Sequence, residues 1–204
     1  MGLYSLKSGL ILGFHGCERN VRDGIVSGID TLRYNNNPYD WLGYGNYVWE
    51  NNYDRALHFA QNLPGGNKFD EPAVLGAVID LDFCLDLLDT ENIRLVHHSF
   101  TVLQTAFESA KKPMPVNRTA GGSPDLLLRH LDCAVIENLH RLRGQKKDKP
   151  FDSVRGMFAE GEPLYSNAGF RDKNHIQICV RNPNCIKGFF IPRAEEEWPV
   201  AVST

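Results

Sequence analysis

A change of hydrophobic period along the chain constrains its fold more than any other feature. Short apolar or alternating runs, bounded by Gly, Pro and Asn, occupy both ends, and helical spacing fills the middle. LILGFHGC at Leu10–Cys17 reads as a buried strand. Val21, Ile25 and Ile29 then recur four residues apart on one helical face, with Gly28 near that helix's end. TLRYNNNPYDWLGYGN is loop. Tyr47–Glu50 is a short strand, and Tyr53, Ala56, Leu57 and Ala60 give the spacing of an amphipathic helix. Val74–Leu81 is a second clear strand.

In the middle, Ile93, Val96, Phe100, Leu103 and Phe107 keep helical spacing, as do Leu128, Leu131, Val135, Leu139 and Leu142. KKPMPVNRTAGGSPD between them is loop; Ser123 is placed to cap the second helix, Pro124 to open it and Gly144 to stop it. Strands return at Ser153–Phe158, His175–Val180 and Gly188–Ile191. The pattern predicts one α+β domain over 1–204 with a helical insert at about 85–145. No GxGxxG follows a strand and opens a helix, which argues against a Rossmann site.

The net charge of -3 gives no general pull toward nucleic acid or an anionic membrane. No apolar run approaches the ~20 residues that span a bilayer, and the apolar start lacks signal-peptide flanks. Five widely spaced cysteines, an odd count without CxxC, predict neither a disulfide framework nor a zinc site, and point to a reducing compartment, the cytoplasm.

Three short segments carry candidate chemistry. Phe14-His15-Gly16 closes the first strand, where an imidazole can bond a ribose hydroxyl and the Gly16 backbone can hold a planar carboxamide; a histidine satisfied in the core is the competing reading. Leu42-Gly43-Tyr44-Gly45-Asn46-Tyr47 makes a tight turn into a strand, and Tyr47 can stack on a flat heterocycle or pack in the core. In HIQICV, Gln177 stands among alternating strand residues, as a site residue or an edge polar group.

Taken together, GFHGCERNVRDGIV, WLGYGNYVWENNYDRALHFA and HIQICVRNPNCIKGFF resemble the ADP-ribosyltransferase superfamily, in its diphtheria-toxin and poly(ADP-ribose) polymerase branch, the H-Y-E class. The resemblance covers roughly the first sixty and last fifty residues; the helical middle has no counterpart in it. It implies a split β-sheet core that binds NAD, with no metal. By the resemblance His15 holds the adenosine-side ribose, Gly16 the nicotinamide carboxamide, and Tyr47 stacks on nicotinamide. His58 or Phe59 falls near the position of a second ring.

Gln177 stands where the family has Glu. An amide oxygen still accepts a hydrogen bond, but it lacks the charge that stabilises a developing cation and cannot serve as a general base. Chain elongation is therefore not expected. The resemblance implies mono-ADP-ribosylation of a macromolecular acceptor, protein or nucleic acid, with release of nicotinamide. NAD hydrolysis and a catalytically inactive NAD- or ADP-ribose-binding module are the alternatives. The preceding segment, with Glu160, Glu162, Tyr165 and Phe170, corresponds to the acceptor loop. Glu160 or Glu162 could supply the missing carboxylate, and a solvated loop charge is the plainer reading. The family's habits imply a bacterial-toxin or phage-conflict setting, with an antitoxin or inhibitor protein as a partner.

Overall fold

The computed structural model describes residues 9–63, 67–120 and 124–194. In chain order the elements are β1 (Leu10–Glu18), α1 (Arg19–Val26), β2 (Asn46–Glu50), α2 (Tyr53–Gln61), β3 (Pro72–Asp80), β4 (Cys84–Asp86), α3 (Thr90–Ser109), β5 (Asn117–Arg118), β6 (Leu128–Arg129), α4 (His130–Lys146), β7 (Ser153–Phe158), β8 (His175–Val180) and β9 (Ile186–Phe190). Seven strands form one mixed sheet in the order β4-β7-β8-β2-β1-β3-β9, and β5 and β6 make a separate ribbon. Every neighbouring pair in the large sheet is antiparallel except β4 and β7. The fold is therefore α+β.

Alternation along the strands sorts the two faces. A Cβ on Gly16 would run into the Ala56 carbonyl of α2, whereas one on Gly13 would meet Val48 and Ile79. Phe14 and Gly16 thus look toward α2, and Gly13, His15 and Cys17 look away from it. On the α2 side, Trp49, Ala56 and Val74 pack with Phe14, Leu57 and Phe59. Toward β7 that layer continues as Trp41, Leu42, Ile136, Leu139, Phe151, Val154 and Phe158, so the loop before β2 and helix α4 complete it. The opposite face buries Val48, Ala77, Ile79, Ile178 and Val180, and Cys17, Ile25 and Leu75 beneath α1.

A buried ionic knot ties three strands together. Arg155 of β7, 5% exposed, donates through Nη2 to Glu50 Oε1 of β2 at 2.8 Å and lies 3.3 Å from both Asp86 oxygens of β4. Since β8 runs between β7 and β2, the guanidinium bridges across it. The two carboxylates raise the Arg155 pKa, the hydrogen bond to Glu50 contributing most.

The strands agree with the hydrophobic pattern to within a residue or two, but the middle differs. Leu128 is not helical: it pairs with Arg118, and Arg129 pairs with Asn117. Helix α4 starts only at His130, so Pro124 lies well before it, and Ser123 lies outside the described residues. The cap comes from a distance, since Asn117 Oδ1 accepts from Leu131 N at 2.9 Å and Asp132 N at 3.3 Å. The helix runs past Gly144 and ends at left-handed Lys147. Helix α1 stops at Val26, so Ile29 lies beyond it, exposed rather than on its buried face. Helices α3 and α4 share a buried polar knot, in which Ser99 Oγ donates to the Val135 carbonyl and Asn138 Nδ2 donates to the Ser99 carbonyl and hydroxyl.

Removing Arg155 alone leaves two buried carboxylates without their cation. Arg155→Met is expected to destabilise the fold by about 3–5 kcal/mol. A urea unfolding curve checks this, and an unchanged midpoint would show that the knot contributes nothing.

Candidate functional site

The site begins where two central strands separate. Strand β1 pairs with β3 along nine residues, from Leu10↔Asp80 to Glu18↔Pro72. On its other side it pairs with β2 at only two positions, Gly13↔Glu50 and Phe14↔Trp49. Backbone groups of an antiparallel strand alternate between its two neighbours. Leu12 O accepts from Asn51 N at 2.9 Å, so even-numbered β1 residues aim their N–H and C=O toward β2. Gly16 is even-numbered and lies past the last β1–β2 pair. Its amide and carbonyl therefore face the seam, where no β2 residue is in register with them, and Gly16 itself is buried there.

His15 crosses this seam. Its Nδ1 lies 2.9 Å from the Tyr47 carbonyl oxygen. A carbonyl only accepts, so Nδ1 carries the proton and Nε2 is left as an acceptor. Burial pushes the imidazole pKa down, and the bond to Tyr47 only partly offsets that, which keeps the ring neutral. His15 springs from the sheet face opposite α2 and meets Tyr47 through the backbone at the strand edge.

Tyr47 is fixed by the turn that precedes it. Its hydroxyl donates to the Gly43 carbonyl at 2.8 Å and accepts from Leu42 N at 2.9 Å. Gly43 sits at φ 83, in the left-handed region, and a Cβ on Gly45 would press on Cys179 and Val180 of β8. The two glycines thus let the turn lie flat against the sheet and grip the phenol. Burial raises the Tyr47 pKa well above its ordinary value.

Gln177 lies opposite Trp49 of β2 and Gly156 of β7, and Tyr47 lies opposite Cys179. Tyr47 and Gln177 therefore share one face of adjacent strands, two positions apart. The Gln177 amide is not loose: Trp41 Nε1 donates to Oε1 at 2.7 Å. Indole N–H can only donate, so this bond fixes which end of the amide is oxygen. One lone pair of Oε1 and the amide NH2 remain. Gly156 leaves the space that the Trp41 ring fills.

The remaining expected residues divide. His58 is exposed on α2, whereas Phe59 packs on Trp49 with centroids 5.2 Å apart. Glu160 forms a half-buried ion pair with Arg55 of α2 at 2.7 Å, so its carboxylate is engaged. Glu162 is exposed, and its amide bonds Asp172. The loop closes on itself through the Pro163↔Arg171 bridge and the bond from Leu164 N to Phe170 O at 3.0 Å. Tyr165 and Phe170 stand out from it, 61% and 63% exposed.

Four residues escaped the pattern. Trp41, which orients Gln177, is marked only by standing just before the LGxG turn. Arg55 lies over Trp49, 5.5 Å from the ring centroid. His175 stacks on Phe158, and its Nε2 is buried without a hydrogen-bond partner. Asp40 has a buried oxygen with no partner, and desolvation pushes its pKa up to about 6. Among the described residues no helix is long and apolar enough to cross a membrane. Comparison with protein-family models, curated proteins and solved structures finds no match.

Burial lowers the pKa of His15, His175 and His140, the last to about 3. A histidine with a depressed folded pKa binds its proton better in the unfolded chain, so stability falls as pH drops through the unfolded value of 6.5. Asp40, raised to about 6, acts in the opposite direction but is a single group. Stability measured by urea unfolding should therefore fall between about pH 7 and pH 4, and His140→Leu should flatten that fall. An identical pH slope in the variant would remove His140 from this linkage.

Proposed function

We propose that the chain binds NAD across the β1–β2 seam and transfers ADP-ribose to a macromolecular acceptor, releasing nicotinamide. The observation that carries this reading is the Gly16 backbone, buried but without a β2 register partner, in a seam with Tyr47 on the adjoining strand and Gln177 on the next. An amide and a carbonyl side by side match the donor and acceptor of a planar carboxamide. The half-buried Tyr47 ring lies on the adjoining strand, packed on one side against the Trp41 layer. His15 Nε2 is an acceptor for a sugar hydroxyl. In the reaction the bond between nicotinamide nitrogen and ribose C1 breaks, its electron pair leaves with nicotinamide, and the acceptor's nucleophile forms the new bond to C1 and releases its proton to solvent.

Gln177 decides how the developing positive charge is met. Its oxygen dipole is fixed by Trp41 but carries no net charge, so most of the rate must come from holding NAD in a reactive orientation. Glu160, paired with Arg55, is not free to replace it. The engaged, neutral amide also favours a second reading, a module that binds NAD or ADP-ribose without cleaving it.

Nicotinamide release from NAD separates the two. Gln177→Ala should lower release on the order of a hundredfold. Gln177→Glu should retain or raise it, because Trp41 can donate equally to a carboxylate and leave the second oxygen for the ribose. Tyr47→Phe keeps the ring while dropping the hydroxyl that holds the turn, and should cost less than Tyr47→Ala. Full release in Gln177→Ala would remove Gln177 from the mechanism. NAD binding without release would leave the binding module. Labelled NAD with cell extract, followed by protease or nuclease, identifies the acceptor as protein or nucleic acid, and label in neither leaves hydrolysis.

A further inference from the structure

The helical insert lines a half-open pocket of its own, outside the seam. It has a volume of about 290 Å³ and lies between α3 and α4, walled by Val96 and Phe100 on one helix and Leu131 and Val135 on the other. Trp41 forms part of its lining, and His97, Arg129 and Asp132 supply the polar groups. The polar knot of Ser99 and Asn138 fastens the same two helices and holds the walls in place.

Arg129 gives the pocket its chemistry. Its guanidinium lies 4.9 Å from the Trp41 ring centroid and 5.2 Å from that of Phe158, within cation–π reach of both rings. Asp132 accepts from its Nε. The two terminal nitrogens make no hydrogen bond within the described residues. Arg129 thus brings donors to the wall of a largely apolar pocket, and His97 adds an exposed imidazole. Asp132 and Arg129 engage each other through Nε, and among the described residues it is the two terminal nitrogens of Arg129 that keep unused donors for an anion. A volume near the bottom of the roughly 300–1,000 Å³ range of small-molecule sites suits a compact ligand.

We propose that this pocket binds a small organic acid, with an aromatic or branched apolar body between α3 and α4 and its carboxylate on the terminal nitrogens of Arg129. A planar guanidinium whose two terminal nitrogens make no hydrogen bond among the described residues matches a carboxylate in two-point geometry. The site stands apart from the NAD reading and does not depend on it. It is nonetheless joined to Gln177, because Trp41 lines the pocket with its ring and holds the Gln177 oxygen with its N–H.

The test uses isotope-labelled full-length protein and follows the Trp41 indole N–H resonance, assigned with Trp41→Phe. Three probes are titrated: phenylpropanoate, which has body and charge; phenylpropanol, which has the body alone; and acetate, which has the charge alone. Phenylpropanoate should shift the resonance saturably and bind at least about tenfold more tightly than phenylpropanol, with no saturable shift from acetate. Arg129→Met should reduce the acid to the affinity of the alcohol. Val96→Phe should fill the cavity and abolish both; if it fails to melt cooperatively, the Arg129→Met comparison still decides. The proposal is overturned if phenylpropanoate gives no saturable shift, if it binds no better than the alcohol, or if Arg129→Met leaves its affinity unchanged.

Discussion

The separation of β1 from β2 after Phe14 and Trp49 is the constraint on which the candidate site depends. A central strand normally has both edges satisfied. Here β1 is satisfied along its whole length by β3 and only briefly by β2, so the Gly16 end presents main-chain donors and acceptors to one side. Such an opening would weaken an isolated sheet. It is tolerated because each flank is independently fixed. The Arg155 knot binds β2 to β7 and β4, and α2 presses on Gly16 so closely that no side chain fits between them. His15 then spans the gap with one hydrogen bond and leaves the buried Gly16 backbone without a β2 register partner.

The loop before β2 does more than connect elements. Its two glycines allow the chain to lie on β8, and Arg181 anchors it by donating to the Tyr44 carbonyl and pairing with Glu137 of α4. That anchoring places the Tyr47 hydroxyl inside the turn and the Trp41 indole against Gln177. Tyr47 and Gln177 are therefore positioned by the same loop, and a disturbance of its conformation reaches both. Restraints of this kind let a neutral amide keep one orientation inside a layer of aromatic rings.

Much of this organisation is legible in the sequence, for local reasons. Runs such as LILGFHGC and HIQICV carry their strand character in the side chains themselves, and the alternation in HIQICV assigns Gln177 a face. Tyr53, Ala56 and Ala60 announce α2 in the same way. What is hidden depends on long-range contact. Leu128 has helical spacing but pairs with Arg118 in a ribbon, and α4 is capped by Asn117 Oδ1, which accepts from Leu131 N, rather than by Ser123. β4 is three residues long and is a strand only because β7 lies beside it. The seam cannot be read from residue types at all, since a register that stops after two pairs leaves no mark on composition. Trp41 was hidden for a related reason: a tryptophan in a loop reads as packing until its N–H is seen on an amide 136 positions away.

Trp41 also explains why the helical insert matters to a site built from the two ends of the chain. Its N–H is fixed to Gln177, and its ring is sandwiched among Phe158, the Arg129 guanidinium and the cavity between α3 and α4. A side chain that is 9% exposed and held on all these sides cannot move at one edge without moving at the others. Donation from the indole draws electron density from the Gln177 oxygen, which makes it a weaker acceptor through its remaining lone pair, while fixing that lone pair's direction. The electronic cost and the gain in orientation come from the same bond. The insert sets its geometry, because Arg129, Ile136 and Leu139 determine where the Trp41 ring can lie. The helices between the two ends of the chain thus bear, through Trp41, on the orientation of Gln177.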